Sequence, residues 1–341
     1  GRLRGGPQSA GSEPGPAAYN QGGEDATMTD AHLTVGNIAA DGFAGGIIEL
    51  AKERAPEAVA KHIQTALGVD RVEKAAAGIV ELADETMANA ARVHGIELGL
   101  DISSFDLLVS GGGGGLHGVR IAEKLGIKRI IVPQNAGVGS AVGFLRSPVA
   151  FESAITVVEK LNQIGASALA ARIETTQSYV RSVGENAVPA ERTECTLLAE
   201  GRYEGQGFKL TLPLSDLDQD HLAGLAERFE ESYEDQVGFT LKNVPIELIS
   251  ISVSVRERRG DVAPAKVRAS DAAQPPCHRQ IFDLNAQDWL RYDVLDRAAL
   301  NGHDICGPAV VPEAQTTTLV RPGWSVHSSE QGHLVMERQP S

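Results

Sequence analysis

Aromatic residues are scarce in this 341-residue chain, at 4%. The core must therefore rest on Ala, Leu, Ile and Val. Only three cysteines occur, Cys195, Cys277 and Cys306, far apart and with no C-x-x-C pair. That odd, scattered set suggests neither a disulfide framework nor a cysteine zinc site, and it fits a reducing cytoplasm. No apolar run approaches the roughly 20 residues of a membrane span. The opening, GRLRGGPQSAGSEPGP, has no secretory pattern. Basic residues are the minority: 31 Lys and Arg stand against 45 Asp and Glu, for a net charge of −14. Such a balance argues against a nucleic-acid partner, which needs a basic patch.

What remains is the composition of a soluble globular protein, 42% hydrophobic and 22% charged, long enough for two or three domains. Residues 1–30 read as a Gly/Pro-rich loop segment. A short helix follows, with Thr29 or Asp30 as its cap. A long helix runs through VEKAAAGIVELADETMANAARVHGIELG, with Ile79, Ala83, Met87, Ala90 and Ala91 on one face. FDLLVS and KRIIVP read as buried strands on either side of the helix LHGVRIAEKLGI. Residues 105–132 thus make a strand–glycine loop–helix–strand unit with a right-handed crossover. A further long helix is expected over much of 153–183.

After Gly184 the pattern becomes β-rich. CTLLAEGRYEGQGFKLTLPL predicts two strands about a turn. A helix capped by Asp218 or Asp220 follows, with Leu222, Leu225, Phe229 and Tyr233 as its stripe. IELISISVSVRER alternates, placing Ile249, Ile251, Val253 and Val255 on one face. Residues 260–277 read as a linker, and short strands fill the rest. The expected domains are an α/β subdomain over 31–185 and a β-rich α+β domain over 186–341.

The central feature is VSGGGGGLHG, Val109 to Gly118. Gly113, Gly115 and Gly118 satisfy G-x-G-x-x-G between a strand and a helix. The acid that would hold a ribose at the end of the next strand is missing: Pro133, Gln134 and Asn135 stand there. A nicotinamide site is therefore discounted, and no Gly-Lys-Ser/Thr follows to make a phosphate loop. Close packing needs one or two glycines. Five together are better explained by a ligand lying flat on bare backbone, beside the free N–H groups of a helix start.

The segment SGGGGGLHGVRIAEKLGIKRIIVPQNAGVGSAVGFL resembles the hydantoinase A/5-oxoprolinase signature GGAGPLHA…LGI..VIVP..AGV.SA.G.L. GGPQSAGSEPGPAAYNQGG with TMTDAHLTVGNI, GRYEGQGFKLTLPL, and GPAVVPEAQTTTLVRPGW resemble three more motifs of that family, in its order. The resemblance spans nearly the whole chain and implies an incomplete actin-like nucleotide subdomain, of the sugar-kinase and heat-shock-chaperone type. It implies ATP and Mg2+ as cofactors, the metal ligands lying mainly in an N-terminal half that carries two Asp-Gly-Gly-Thr-type hairpins. No such hairpin occurs here, and the first residue is Gly1 rather than Met. The chain is thus expected to be the C-terminal half, inactive alone. Its expected partners are that N-terminal half, a hydantoinase B-type subunit, and a small amide or ketone substrate.

The implied reaction is ATP-dependent activation of a carbonyl by phosphorylation, in a cyclic-amide hydrolase. The alternatives are a ketone carboxylase subunit and a non-catalytic binding module. The implied nucleotide contacts are Gly111, Gly112, Gly113, Gly114, Gly115, His117 and Asn135. Glu13, Asp30, Arg202, Tyr203 and Gln206 are candidates to reach substrate, Asp30 serving at least equally as a helix cap. No catalytic residue and no metal ligand is assigned. The chain departs from the family pattern at Gly113 and Gly115, where alanine and proline are usual, and the loop is expected to be looser for it. It also departs at His32, where the pattern has asparagine, and at Ala18, where it has cysteine.

Overall fold

The computed structural model describes residues 3–41, 43–184, 187–214, 219–258, 277–300 and 303–340. In chain order the first helices are α1 (Met28–Thr34), α2 (Arg54–Val59), α3 (Thr65–Leu67) and α4 (Val72–Glu97). Strand β1 (Leu107–Leu108), helix α5 (Gly114–Leu125), strand β2 (Arg129–Val132) and helix α6 (Gly139–Arg146) follow. Next come β3 (Ala150–Lys160), α7 (Ala166–Gly184), β4 (Thr193–Tyr203), β5 (Leu210–Leu214), α8 (Gln219–Val237) and β6 (Ile246–Glu257). Seven strands close the chain: β7 (Cys277–Asp283), β8 (Asp288–Val294), β9 (Ile305–Cys306), β10 (Ala309–Pro312), β11 (Thr317–Val320), β12 (Trp324–Ser328) and β13 (Leu334–Arg338).

These mixed α/β elements form two compact units, residues 1–145 with 264–341 and residues 146–263. In the first unit β1 and β2 pair in parallel across α5, as the strand–loop–helix–strand pattern predicts. The final strand, β13, then pairs antiparallel with β2, Leu334 opposite Val132. The resulting sheet runs β1-β2-β13-β12-β9, and a second sheet runs β11-β10-β8-β7. Both share one core with α5, built from small and branched residues such as Val119, Ala122, Ile130, Val311 and Val326, around Trp324. The expected boundary at 185/186 therefore falls inside the second unit, and the C-terminal strands belong with the glycine loop. Backbone pairing at β2 is what brings them there.

The second unit is one antiparallel sheet, β3-β6-β4-β5, with α7 and α8 packed on its core. The single helix expected over 153–183 is instead β3 followed by α7. AFESAITVVEK contains the β-branched run Ile155–Val158, which is stiff in a helix and suits a pleated strand. In β6 the buried positions are Leu248, Ile251, Val253 and Val255. Ile249 leaves the expected face because the β4–β6 register shifts between Glu200 and Gly201, displacing the alternation by one residue. Asp218, and the side chains of Asp220 and Leu222, lie outside the described residues, as does all of the expected linker except Cys277.

Helix α4 buries a different stripe from the one expected. Ala77, Asp84, Ala88 and Gly95 are buried, at helical spacing, whereas Met87 is 39% exposed. The hydrophobic count missed this phase because an acid occupies the buried face, and that acid belongs to the site described next.

Candidate functional site

The glycine run lies where β1 turns into α5. Gly111 takes a positive φ of 93°, and its N–H donates to the Ala136 carbonyl at 2.7 Å. The helix begins within the run, at Gly114. Thr316 Oγ1 donates to the Gly112 carbonyl at 3.1 Å. A Cβ on Gly115 would sit 2.6 Å from the Thr317 carbonyl oxygen, so only glycine fits under β11. A Cβ on Gly113 would meet nothing within 4 Å. The loop is thus anchored at Gly111, Gly112 and Gly115 and bare at Gly113. The segment before β11, with β11 itself, supplies the contacts at Gly112 and Gly115.

The bare side faces a cleft of about 970 Å³. Gly112, Gly113, His117, His32, Arg279 and Thr316 are among the residues lining it. His32 comes from α1, whose start is fixed by a capping box. Thr27 is the N-cap, not Thr29 or Asp30, and Asp30 stands at the third helical position. The Asp30 carboxylate is fully buried and accepts from the backbone N–H groups of Ala17, Ala18 and Thr27 and from Thr27 Oγ1.

A hydrogen-bonded chain runs along the cleft wall. Asn37 Nδ2 lies 2.9 Å from His32 Nδ1, His32 Nε2 lies 3.1 Å from His117 Nε2, and His117 Nδ1 lies 2.6 Å from Asp84 Oδ1. One proton arrangement satisfies every link. The Asn37 amide donates to Nδ1 of His32, His32 donates from Nε2 to Nε2 of His117, and His117 donates from Nδ1 to the Asp84 carboxylate. Burial, with His117 as a second cause, drives the His32 pKa down to about 3, so this imidazole is neutral at pH 7. Burial pushes the Asp84 carboxyl above its usual range, against the opposing pull of the His117 hydrogen bond.

The expected residues divide sharply. Gly112, Gly113 and His117 line the cleft. Gly114 and Gly115 start α5, with Gly115 buried. Asn135 is exposed in the left-handed conformation, φ 56°, capping a short turn and not lining the cleft. Glu13 is exposed on the N-terminal loop, also away from the lining. Arg202, Tyr203 and Gln206 belong to the second unit. Arg202 pairs with Glu247 at 2.9 Å, Gln206 accepts from the Tyr233 hydroxyl, and Tyr203 is 0% exposed with its hydroxyl accepting from Leu241 N–H. All three serve the packing of their own unit. Asp84, Asn37 and Arg279 escaped sequence reading. Asp84 alone left a trace, as an acid at the spacing of the buried alanines.

Among the described residues, no group of three or more His, Cys, Asp or Glu is placed to hold a metal ion. The carboxylates lining the cleft are engaged elsewhere, Asp41 with Lys52 and Glu313 with Arg297. These residues do not fit a Mg2+ site. The bare Gly112–Gly113 backbone and the depth of the cleft do fit a flat ring system. Among the described residues, no helix is long and apolar enough to cross a membrane.

Residues 1–153, the glycine loop and its helices included, match the hydantoinase/oxoprolinase family. The chain belongs to that family. It is 35% identical to the caprolactamase subunit alpha of Pseudomonas jessenii over 96% of its own length and 48% of that subunit's. The crystal structure of the ATP-dependent caprolactamase from the same organism superposes with a TM-score of 0.74 at 31% identity, over 97% of this chain and 49% of the other. The nucleotide-free structure of acetone carboxylase shares the fold, with a TM-score of 0.76 at 21% identity over 98% and 49% of the two chains. Other homologues include 5-oxoprolinase and subunits of acetone and acetophenone carboxylases. The chain spans about half the length of the curated relatives it matches.

Proposed function

We propose that this chain is the C-terminal portion of an ATP-dependent cyclic-amide hydrolase and supplies the adenosine-side wall of an incomplete actin-like nucleotide cleft. The observation that carries this reading is the bare Gly112–Gly113 backbone lining a large cleft beside the buried His32 and the half-buried His117. Removing side chains there lets a planar base lie on peptide planes, and the start of α5 adds N–H donors and a positive dipole end. His32 and His117 line the cleft, each oriented by a hydrogen bond from behind, to Asn37 and to Asp84. ATP, when bound, would supply the phosphoryl group that activates an amide carbonyl. The similarity to a caprolactamase subunit supports an amide substrate over a ketone.

The rest of the machinery, including phosphate and Mg2+ ligands, is assigned to a partner portion of the enzyme. The subunit names of the homologues support such an assembly. So does an exposed apolar run, Ile96, Leu98, Leu100, Phe105 and Leu108, leading into the edge strand β1.

Titration calorimetry with ADP and ATP tests the reading. The chain should bind both and hydrolyse neither by itself. Gly113→Phe should fold normally, since that position opens on empty space, and should lose at least tenfold in affinity. A well-folded wild-type chain that ignores adenine nucleotides, or that turns over ATP unaided, would refute the proposal.

A further inference from the structure

Seven arginines among the described residues of the first unit are at least partly buried, and five have carboxylate partners, Arg71 with Glu73 and Arg92 with Glu85 among them. Arg120 pairs with Glu81 and Glu123, Arg297 with Glu313, and Arg321 with Asp283 and Glu123. Of the other two, Arg54 donates to the Asn20 side-chain oxygen and the Gly23 carbonyl, and Arg279 on β7 has no carboxylate partner among the described residues. Its one hydrogen bond there runs from Nη1 to the Asn37 carbonyl oxygen, at 3.1 Å. Arg279 also lines the 970 Å³ cleft, and no other Arg and no Lys does. The acids that share the lining are already paired, as described above. Burial holds the guanidinium below its ordinary pKa, the mark of a partly desolvated cation. A guanidinium keeps its charge under such conditions and has five N–H donors to satisfy. Among the described residues, the wall of the cleft therefore carries one positive charge without a carboxylate partner.

We infer that Arg279 is the anion-binding residue of this cleft and that its guanidinium receives a phosphate or carboxylate group of the cleft's ligand. The Asn37 contact fixes one end of the fork and leaves the remaining donors for the anion. Asn37 also donates to His32, so the anion subsite and the histidine pair share a support. This inference rests on the cleft being the ligand site, and it adds the chemistry of the ligand's charged end.

The test uses two pairs of probes that differ in charge. ATP against adenosine reads phosphate recognition, and 5-oxoproline against 2-pyrrolidone reads carboxylate recognition. Calorimetry on the full 341-residue chain should show one charged member binding at least tenfold more tightly than its neutral counterpart, the range expected for charge-assisted hydrogen bonds. Arg279→Gln should abolish that preference and leave binding of the neutral member unchanged. Arg279→Lys, which keeps the charge but loses the planar fork, should retain part of it and serves if the glutamine variant fails to fold.

The inference is overturned if no probe binds, if charged and neutral members bind alike in the wild type, or if the preference survives both substitutions. Its fate separates from that of the nucleotide reading. ATP binding that is indifferent to Arg279 leaves the nucleotide site standing and removes the inference. An Arg279-dependent preference for 5-oxoproline, with no adenine compound bound, does the reverse.

Discussion

The two units of this chain bury different kinds of residue. Residues 146–263 enclose Tyr203, Phe229 and Tyr233 among leucines, isoleucines and valines, and the three rings meet edge-on or stacked. Two cavities lined by its described residues hold about 10 and 130 Å³. The first unit buries Asp30, His32, Asn37 and Asp84, and it borders a cleft of about 970 Å³. Buried polar groups are stable only when paired, and each of these is. Three of the four belong to the hydrogen-bonded chain along the cleft wall. One unit spends its interior on packing, the other on holding polar groups in a fixed arrangement, and only the second kind of interior marks a site.

Substitutions can break this contrast. The largest effect should come from Phe229→Ala, which empties a fully buried ring site and should cost about 3–5 kcal/mol. Both tryptophans, Trp289 and Trp324, lie in the first unit, so their fluorescence reports that unit while far-UV circular dichroism reports both. The loss should appear in the dichroism transition; a loss seen only by tryptophan would contradict the assignment. Next is Gly115→Ala, whose Cβ meets a backbone carbonyl of β11. It should cost toward the upper end of about 1–3 kcal/mol in denaturant titration. Gly113→Ala, its neighbour in the same run, should stay within about 0.5 kcal/mol. Equal effects at the two positions would undo the distinction between the anchored and the bare part of the loop.

An effect smaller than those at Phe229 and Gly115 depends on pH. His32 titrates at about 3 in the folded chain and near 6.5 when unfolded. Between those values the unfolded state takes up the proton and the folded state does not. The contribution is therefore complete above pH 6.5 and is lost as pH falls toward 3, by about 2 kcal/mol at pH 5 relative to pH 7. His32→Asn, which restores the family's usual residue, should flatten the stability profile across that window. An unchanged slope between pH 7 and pH 5 would mean that His32 is not held neutral.

The glycine loop and its flanking strands and helix were legible because each signal is local. An apolar run, a break, and a 3.6-residue period lie within thirty residues of one another. The histidine chain was not legible, since His32 and His117 are 85 residues apart and His117 and Asp84 are 33 apart. No periodicity records such a meeting. The Arg202, Tyr203 and Gln206 turn illustrates the opposite case. Polar residues beside glycine look available in a sequence, yet Tyr203 is fully buried and Arg202 is paired across the sheet. Arg279 stayed hidden for a related reason, because what distinguishes it is a missing counter-ion, and sequence spacing cannot show that.

The pairing of β13 with β2 has a consequence in time. Val132 and Leu334 are neighbours in the sheet but roughly 200 residues apart along the chain, and closing so long a loop is slow. On a ribosome, the helix carrying the glycine loop is made before residues 146–263 and waits, its sheet unfinished, while they emerge with the strands of their own sheet. The unit without the cleft can complete itself first. The cleft is complete only when residues 312–317 have followed, and until then a nascent chain exposes the bare glycine backbone without that wall.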